Sequence, residues 1–227
     1  MSKEKVILFD TTLRDGQQTQ GVDFSVQDKV NIAKALDNIG IDYIEGGWPG
    51  ANPTDTKFFE QNNKFSNAKF TAFGMTKRAG RSADNDPQLR SLIDANSDSI
   101  CLVAKTWDFH VDLALGISLE ENIEAIKDSV LSVKTNDKEP LIDCEHFFDG
   151  FKSNPEFSYK CIEAALENGA EWVVLCDTNG GTLPNEIFQI VSEITKKFSG
   201  DKIGIHCHNA VSYTHLRAHE TVLDLVC

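Results

Sequence analysis

No apolar run in the sequence approaches the ~20 residues needed to span a bilayer. The longest, such as Val6–Phe9 and Trp172–Cys176, are far shorter. The opening residues Met1-Ser2-Lys3-Glu4-Lys5 hold neither a long apolar stretch nor a small-residue cleavage site, so no signal peptide is expected. Basic residues are in the minority: 22 Lys and Arg stand against 35 Asp and Glu, a net charge of −13. Binding to a phosphate backbone needs basic patches, and no basic run is present. Neither nucleic acid nor a membrane is therefore expected as a partner. An anionic small molecule is still admissible where a few Arg or Lys, a metal or a helix N-terminus supplies local positive charge. The 6 cysteines contain no CxxC pair. Cys101, Cys144 and Cys176 sit in or at the ends of apolar runs, as buried free thiols do. The cysteines read as reduced and structural, which points to the cytoplasm. Linkers rich in Pro, Gly or Ser, low-complexity tracts and internal repeats beyond one strand–helix unit are all lacking.

What is present is ordinary globular material. Of the 227 residues, 41% are hydrophobic and 25% charged, which excludes a disordered chain, a collagen-like repeat and a disulfide mini-scaffold. Short apolar runs alternate with amphipathic stretches. The runs are Val6–Phe9, Tyr43–Ile44, Phe70–Phe73, Ser99–Ala104, Leu141–Cys144, Trp172–Cys176 and Ile203–His206. Between them, Val26–Ile39 places Val26, Val30, Ala33, Leu36 and Ile39 on one helical face. Leu119–Val133 does the same with Ile123, Ile126, Val130 and Val133. Phe157–Asn168 runs into Asn168-Gly169, a helix stop, and Pro184–Phe198 follows Thr182 as a candidate N-cap.

A strand–helix alternation of this kind predicts parallel βαβ units. A doubly wound open sheet and a (β/α)8 barrel both fit. No GxGxxG or Walker motif follows the first strand, which removes the usual nucleotide-binding reason for an open sheet. Polar clusters instead follow almost every strand: Asp10–Gln18, Glu45–Asn52, Lys105–His110, Glu145–Lys152, Asp177–Thr182 and His206–Asn209. Barrel active sites are assembled from such loops. The expected fold class is α/β, a (β/α)8 TIM barrel that is incomplete, with about seven strands and no eighth unit.

Several residues could carry chemistry. His206 and His208 form H-x-H at the end of the seventh run, and the period of a strand sends both rings to one face. Asp15 lies just past the first strand. Strands one and seven are both odd, so their inward residues can share a layer, and two imidazoles with a carboxylate make a divalent metal site. The same histidines could instead be plain polar strand-end residues. Arg14 could hold a carboxylate or a developing oxyanion, or form a structural ion pair. Glu145, beside His146, Phe147 and Phe148, could act as acid or base through a raised pKa, or sit as a solvated loop acid. Thr178 could bond a substrate carboxylate or serve as a turn and cap. His110, after Trp107, could be a site residue or a structural histidine. Gly46-Gly47-Trp48-Pro49-Gly50 reads as a tight turn that permits close backbone approach.

Phe9-Asp10-Thr11-Thr12-Leu13-Arg14-Asp15-Gly16-Gln17-Gln18 resembles the D-T-T-L-R-D-G-x-Q signature of the isopropylmalate, homocitrate and citramalate synthase family. His206-Cys207-His208-Asn209 resembles that family's second, metal-binding signature. Residues 43–53, 143–152 and 175–184 are similar to the citramalate synthase branch, and the resemblance covers roughly residues 4–209.

The resemblance implies a (β/α)8 barrel with a divalent metal (Mg, Mn or Zn) at its C-terminal mouth, held by Asp15, His206 and His208. It implies that Arg14 polarises a keto oxygen, that Gln18 lines the site, and that Thr178 holds a 2-oxo acid carboxylate. Glu145 joins the acid–base network around acetyl-CoA, the co-substrate, and His110 and Glu45 match positions near the pocket. The implied reaction is a Claisen condensation of acetyl-CoA with pyruvate, giving citramalate and CoA on the way to isoleucine. The alternatives are a 2-isopropylmalate or homocitrate synthase using a larger 2-oxo acid, or an inactive metal-binding fragment. The implied parent protein is a cytoplasmic homodimer acting on small molecules.

The sequence departs from the family after Asn209, where Ala210-Val211-Ser212-Tyr213 replaces an Asp and a Gly-containing loop. Residues 1–209 are accordingly expected to be an incomplete catalytic barrel domain, and residues 210–227 a tail foreign to the family. Unpaired edges at strands one and seven would leave such a chain poorly stable, prone to aggregate and weakly active or inactive.

Overall fold

The computed structural model describes residues 5–61 and 63–208. The expected foreign tail lies outside the described residues. In chain order the elements are β1 (Phe9–Asp10), α1 (Val26–Asn38), β2 (Tyr43–Gly47), α2 (Pro53–Glu60), β3 (Lys69–Met75), α3 (Pro87–Asp94), β4 (Ser99–Lys105) and the short α4 (Asp108–His110). There follow α5 (Leu119–Thr135), β5 (Glu139–Glu145), α6 (Phe147–Ser153), α7 (Pro155–Glu167), β6 (Trp172–Asp177), α8 (Pro184–Phe198) and β7 (Ile203–Cys207). The strands follow one another in chain order in a seven-stranded sheet. That order, with a helix after each strand from β1 to β6, is the topology of a (β/α)8 barrel, seven strands of it among the described residues. No helix among the described residues is long and apolar enough to cross a membrane.

The chain divides into two compact units. One comprises the chain up to Val103 with Lys127–Leu141, the other Ala104–Ile126 with the chain from Ile142 onward. In the first unit β1 pairs with β2, β2 with β3 and β3 with β4, all parallel, with Phe9 opposite Tyr43, Ile44 opposite Phe70 and Phe73 opposite Cys101. Phe58, Phe59 and Phe65 gather around Phe70. In the second unit β6 and β7 pair in parallel, with Cys176 opposite His206. Phe147 lies against Phe148 and Phe151 there.

Caps explain where the helices begin. Ser25 and Asp28 form a capping box on α1. Asn52, Asp86 and Asn154 cap α2, α3 and α7, each followed by proline at the first helical position. At α8 the cap differs from the expected Thr182. Asp177 captures both the amide and the hydroxyl of Thr182, at 3.1 and 3.0 Å. Leu183 takes the cap position instead, and its N–H donates to Glu186.

Two other expectations shift. The first strand is Phe9–Asp10 rather than Val6–Phe9, and Val6 and Leu8 are exposed. Asp42 accepts the Leu8 N–H at 2.9 Å, while the Leu8 carbonyl accepts from Tyr43 and Asp42 amides. The chain before Phe9 is thus tied down by a loop carboxylate as well as by the Tyr43 amide of β2. The buried positions of α1 include Lys29 and Asp37 beside Val30 and Ala33, whereas Ile39 is exposed. Asp37 is admitted because its carboxylate accepts the amides of Ser66, Asn67 and Ala68 at 2.8–2.9 Å. These bonds outweigh the desolvation that would raise its pKa, and the net shift is downward.

Candidate active site

In the first unit the turn after β1 is wound on one carbonyl. Thr11 O accepts the amides of Arg14, Asp15 and Gly16 at 3.1, 2.8 and 3.1 Å. The turn delivers Arg14 and Asp15 side by side. Arg14 Nε donates to Glu45 Oε2 at 2.6 Å and Nη1 to Asp15 Oδ1 at 3.2 Å. Its guanidinium carbon stands 3.9 Å from the centre of the Phe73 ring. Stacking and two carboxylates fix the plane of a planar cation as lysine could not be fixed. Glu45 is fully buried in the middle of β2. Gln18 ends the short 3₁₀ turn Gly16–Gln18, and its side chain is exposed.

Beneath this pair lies a charged group absent from the sequence expectations. Lys29 is fully buried, and its ammonium donates to the Leu13 carbonyl at 2.8 Å, to the Gly46 carbonyl at 3.0 Å and to the Asp55 carboxylate. That uses all three of its protons. Asp55 also accepts the Trp48 amide and the Asn52 side-chain amide, each at 2.8 Å. The residue before Arg14 and the residue after Glu45 are therefore held by one cation. The two glycines that end β2 make room for this packing. A Cβ on Gly46 would come 2.4 Å from the Phe70 ring, and one on Gly47, whose φ is +139°, would come 2.5 Å from the Asp55 carboxyl. The close approach expected at Gly46-Gly47 is real, and it serves internal side chains.

In the second unit the ends of β4 to β7 carry the remaining residues. Lys105, the last residue of β4, pairs with Glu145, the last of β5. Thr106 Oγ1 donates to the Glu145 carbonyl at 2.9 Å. Glu145 thus faces an ammonium group, while Phe147 and Phe148 turn into the core. His146 follows in the left-handed region, φ 53° and ψ 35°. Its amide donates to Thr178 Oγ1 at 2.8 Å, so the Thr178 hydroxyl proton points to some other acceptor. His110 lies edge-on to His146, ring centres 4.4 Å apart, and 4.6 Å from Trp107. Burial first, and then the nearby His146 and Lys105, push the His110 pKa below the usual histidine value. A π-helical turn, Val111–Leu115, follows it directly.

The rings of His206 and His208 sit 4.7 Å apart, edge to face. His208 Nδ1 is 2.8 Å from the Thr178 carbonyl. A carbonyl only accepts, so Nδ1 carries the proton and Nε2 is the nitrogen with a lone pair to give a metal. His206 also shares a neighbourhood with Asp143 and Cys176, one ligand-type atom of each lying within 4.8 Å of the others. The second unit therefore offers imidazole, carboxylate and thiol donors in one place. Cys101, Cys144, Cys161 and Cys176 are buried cysteines outside any disulfide, and Cys207 is an exposed one. Burial drives the Cys144 and Cys161 pKa values upward, which keeps them protonated and unreactive. Lys105, Trp107 and His146 were not singled out from the sequence as site residues. The available signal was position, since each lies at or just past the C-terminal end of a strand.

Comparison with known proteins gives this geometry a family. Over 208 residues, 91% of this chain, the sequence is 52% identical to the (R)-citramalate synthase of Aquifex aeolicus, and the chain spans 39% of that relative's length. A 2-isopropylmalate synthase of Sulfolobus acidocaldarius is 33% identical over 210 residues, 92% of this chain and 52% of that protein. Among solved structures, the HMG-CoA lyase of Bacillus subtilis shares the fold, with a TM-score of 0.75 at 18% identity over 90% of this chain and 69% of that one. The HMGL-like family model matches residues 5–215, and the chain belongs to that family.

Proposed function

We propose that the chain carries the catalytic barrel of a citramalate synthase-type enzyme, which condenses acetyl-CoA with pyruvate and releases citramalate and CoA. The observation that carries this reading is the gap between 52% identity to an (R)-citramalate synthase and 33% to a 2-isopropylmalate synthase over the same stretch. In this reading residues 1–209 are the catalytic domain, residues 210–227 lie outside it, the working unit is a homodimer, and the compartment is the cytoplasm.

Asp15, His206 and His208 would hold a divalent ion, Mg, Mn or Zn. The tautomer of His208 supports this, since its Nδ1–H is committed to a carbonyl. When bound, such an ion supplies Lewis-acid polarisation of a 2-oxo acid's keto group. The chain's own residues do the rest. Arg14, fixed by Glu45, Asp15 and Phe73, places a permanent positive charge where an alkoxide develops. Thr178 already accepts from the His146 amide, so its hydroxyl donates to the substrate carboxylate. Glu145, ion-paired with the Lys105 ammonium, takes a proton from the acetyl methyl group.

The test is release of free CoA from acetyl-CoA with pyruvate, 2-oxoisovalerate or 2-oxoglutarate. It is run on this chain and on a chimera extended with the C-terminal part of the Aquifex relative. Turnover with pyruvate at least tenfold above the larger acids, abolished by a chelator and restored by metal, is expected in the chimera. Equal or faster turnover with a larger 2-oxo acid would overturn the substrate assignment.

A further inference from the structure

Two buried polar atoms of the second unit hydrogen-bond to nothing among the described residues: Trp107 Nε1 and His146 Nδ1. The Asp149 carboxylate approaches Nδ1 only to 3.6 Å, beyond hydrogen-bond range. Native proteins rarely bury such groups unpaired. The two belong to one cluster, with ring centres 6.0 Å apart and His110 against both.

The backbone beneath them is unusual as well. His146 is a non-glycine residue at positive φ, a conformation that persists where its surroundings enforce it. Those surroundings are specific. The His146 amide is held by Thr178 and its carbonyl by the Gly150 amide at 2.9 Å. Gly150 lets α6 come close, since a Cβ there would lie 2.5 Å from the Thr106 carbonyl and 2.8 Å from Trp107 Cα. The segments bearing Trp107 and His146 are thus pressed together beside Glu145.

An indole N–H can only donate, so its partner is an acceptor. Lys105, two residues before Trp107 in the chain, is already paired with Glu145. The Asp149 carboxylate 3.6 Å from His146 Nδ1 favours the tautomer with the proton on that nitrogen, and two donors beside a carboxylate and an already paired cation suit a neutral carbonyl oxygen better than a second carboxylate. The geometry points to Trp107 Nε1–H and His146 Nδ1–H as a pair of donors for the carbonyl oxygen of an acyl thioester held beside Glu145. This rests on the condensing-enzyme reading above and adds a subsite to it. Glu145 takes a proton from the carbon next to that carbonyl. The C–H electron pair becomes the C=C bond of an enolate, the carbonyl π pair moves onto oxygen, and Glu145 is left as a neutral acid. Negative charge then grows on the atom that the two donors face. Their bonds strengthen in the transition state rather than in the ground state.

The test uses a CoA analogue in which a carboxymethyl group replaces S-acetyl, so that a carboxylate stands for the enolate, with free CoA as reference. Binding to the chain is measured by calorimetry. Trp107→Phe keeps the ring and removes the donor. His146→Asn suits the left-handed backbone and shortens the reach. Each is expected to weaken the analogue at least tenfold and free CoA less than twofold. The ¹⁵N-indole resonance that disappears in Trp107→Phe is expected to move downfield in the wild-type chain with the analogue and to stay in place with CoA. Unchanged analogue affinity in both variants, or an unmoved indole resonance in a chain that binds the analogue, overturns the donor pair and leaves the condensing-enzyme reading standing. A wild-type chain that binds neither analogue nor CoA overturns that reading, and the subsite with it.

Discussion

Replacing Lys29 by methionine keeps the length of the side chain and removes its charge. The structure sets the consequence. Asp55 keeps the Trp48 amide and the Asn52 side chain but loses its ammonium partner in a fully buried position. The Leu13 and Gly46 carbonyls lose their donor at the same time. Breaking one side of a buried ion pair costs about 3–5 kcal/mol, because the remaining charge is left uncompensated. With urea m-values of about 1–3 kcal/mol/M, the midpoint should fall by at least ~1 M. The assay is urea unfolding at pH 7 followed by far-UV circular dichroism and by tryptophan emission. Lys29→Met/Asp55→Asn serves as the control. The neutral amide relieves the orphaned charge, so the double variant should be more stable than Lys29→Met alone. A loss below ~1 kcal/mol for Lys29→Met, or a double variant no better than the single, would refute the reasoning.

Four further outcomes follow from individual residues. Gly47→Ala should destabilise by more than about 1 kcal/mol in thermal melts, because it meets both a positive φ and the Asp55 carboxyl at 2.5 Å. Asp86 is buried, and the amides of Arg78, Gln88 and Leu89 outweigh the upward push of burial to hold its pKa below the ordinary value. Its stabilisation is therefore present above the unfolded-state value of about 3.9 and is lost as pH falls through the lower folded-state value. Asp86→Asn should flatten that acid limb in urea midpoints measured from pH 5 to pH 2. His208→Ala should weaken Mn²⁺ or Zn²⁺ binding at least tenfold by calorimetry, whereas Thr178→Val should leave metal affinity within threefold and raise KM for pyruvate in the extended chimera.

The parts of the fold that were legible from sequence share a physical cause. Strands β3 to β5 are recognisable because burial on both faces leaves nearly unbroken apolar runs such as Ile100–Ala104 and Leu141–Ile142. Helices α1 and α5 are recognisable because apolar residues such as Val30 and Ala33, or Ile126, Val130 and Val133, recur at helical spacing on a buried face. Arg14-Asp15 and the H-x-H of His206 and His208 stand out because chemistry-bearing residues collect at strand ends. What escaped detection is polar and non-local. Lys29 and Asp37 occupy core positions of α1, and a helical pattern scores both as surface, yet each is satisfied by groups 16 to 31 residues away. The first strand begins at Phe9 rather than at Val6 for a related reason, since the distant Asp42 carboxylate takes the Leu8 amide.

The left-handed turn at His146 leaves no compositional trace at all, because histidine there is held by a threonine 32 residues downstream. Local patterning therefore reports which faces of the elements are apolar. It does not report which polar groups those faces enclose. In this chain the enclosed groups are the ones that set the site: Lys29 ties Leu13 to Gly46 and so positions Arg14 and Glu45, while Thr178 turns His146 beside Glu145. A family likeness can carry over Arg14, Asp15, Glu145, His206 and His208 by motif. The cation beneath Arg14 and the donors around Glu145 become visible only when every buried polar atom has been asked for its partner.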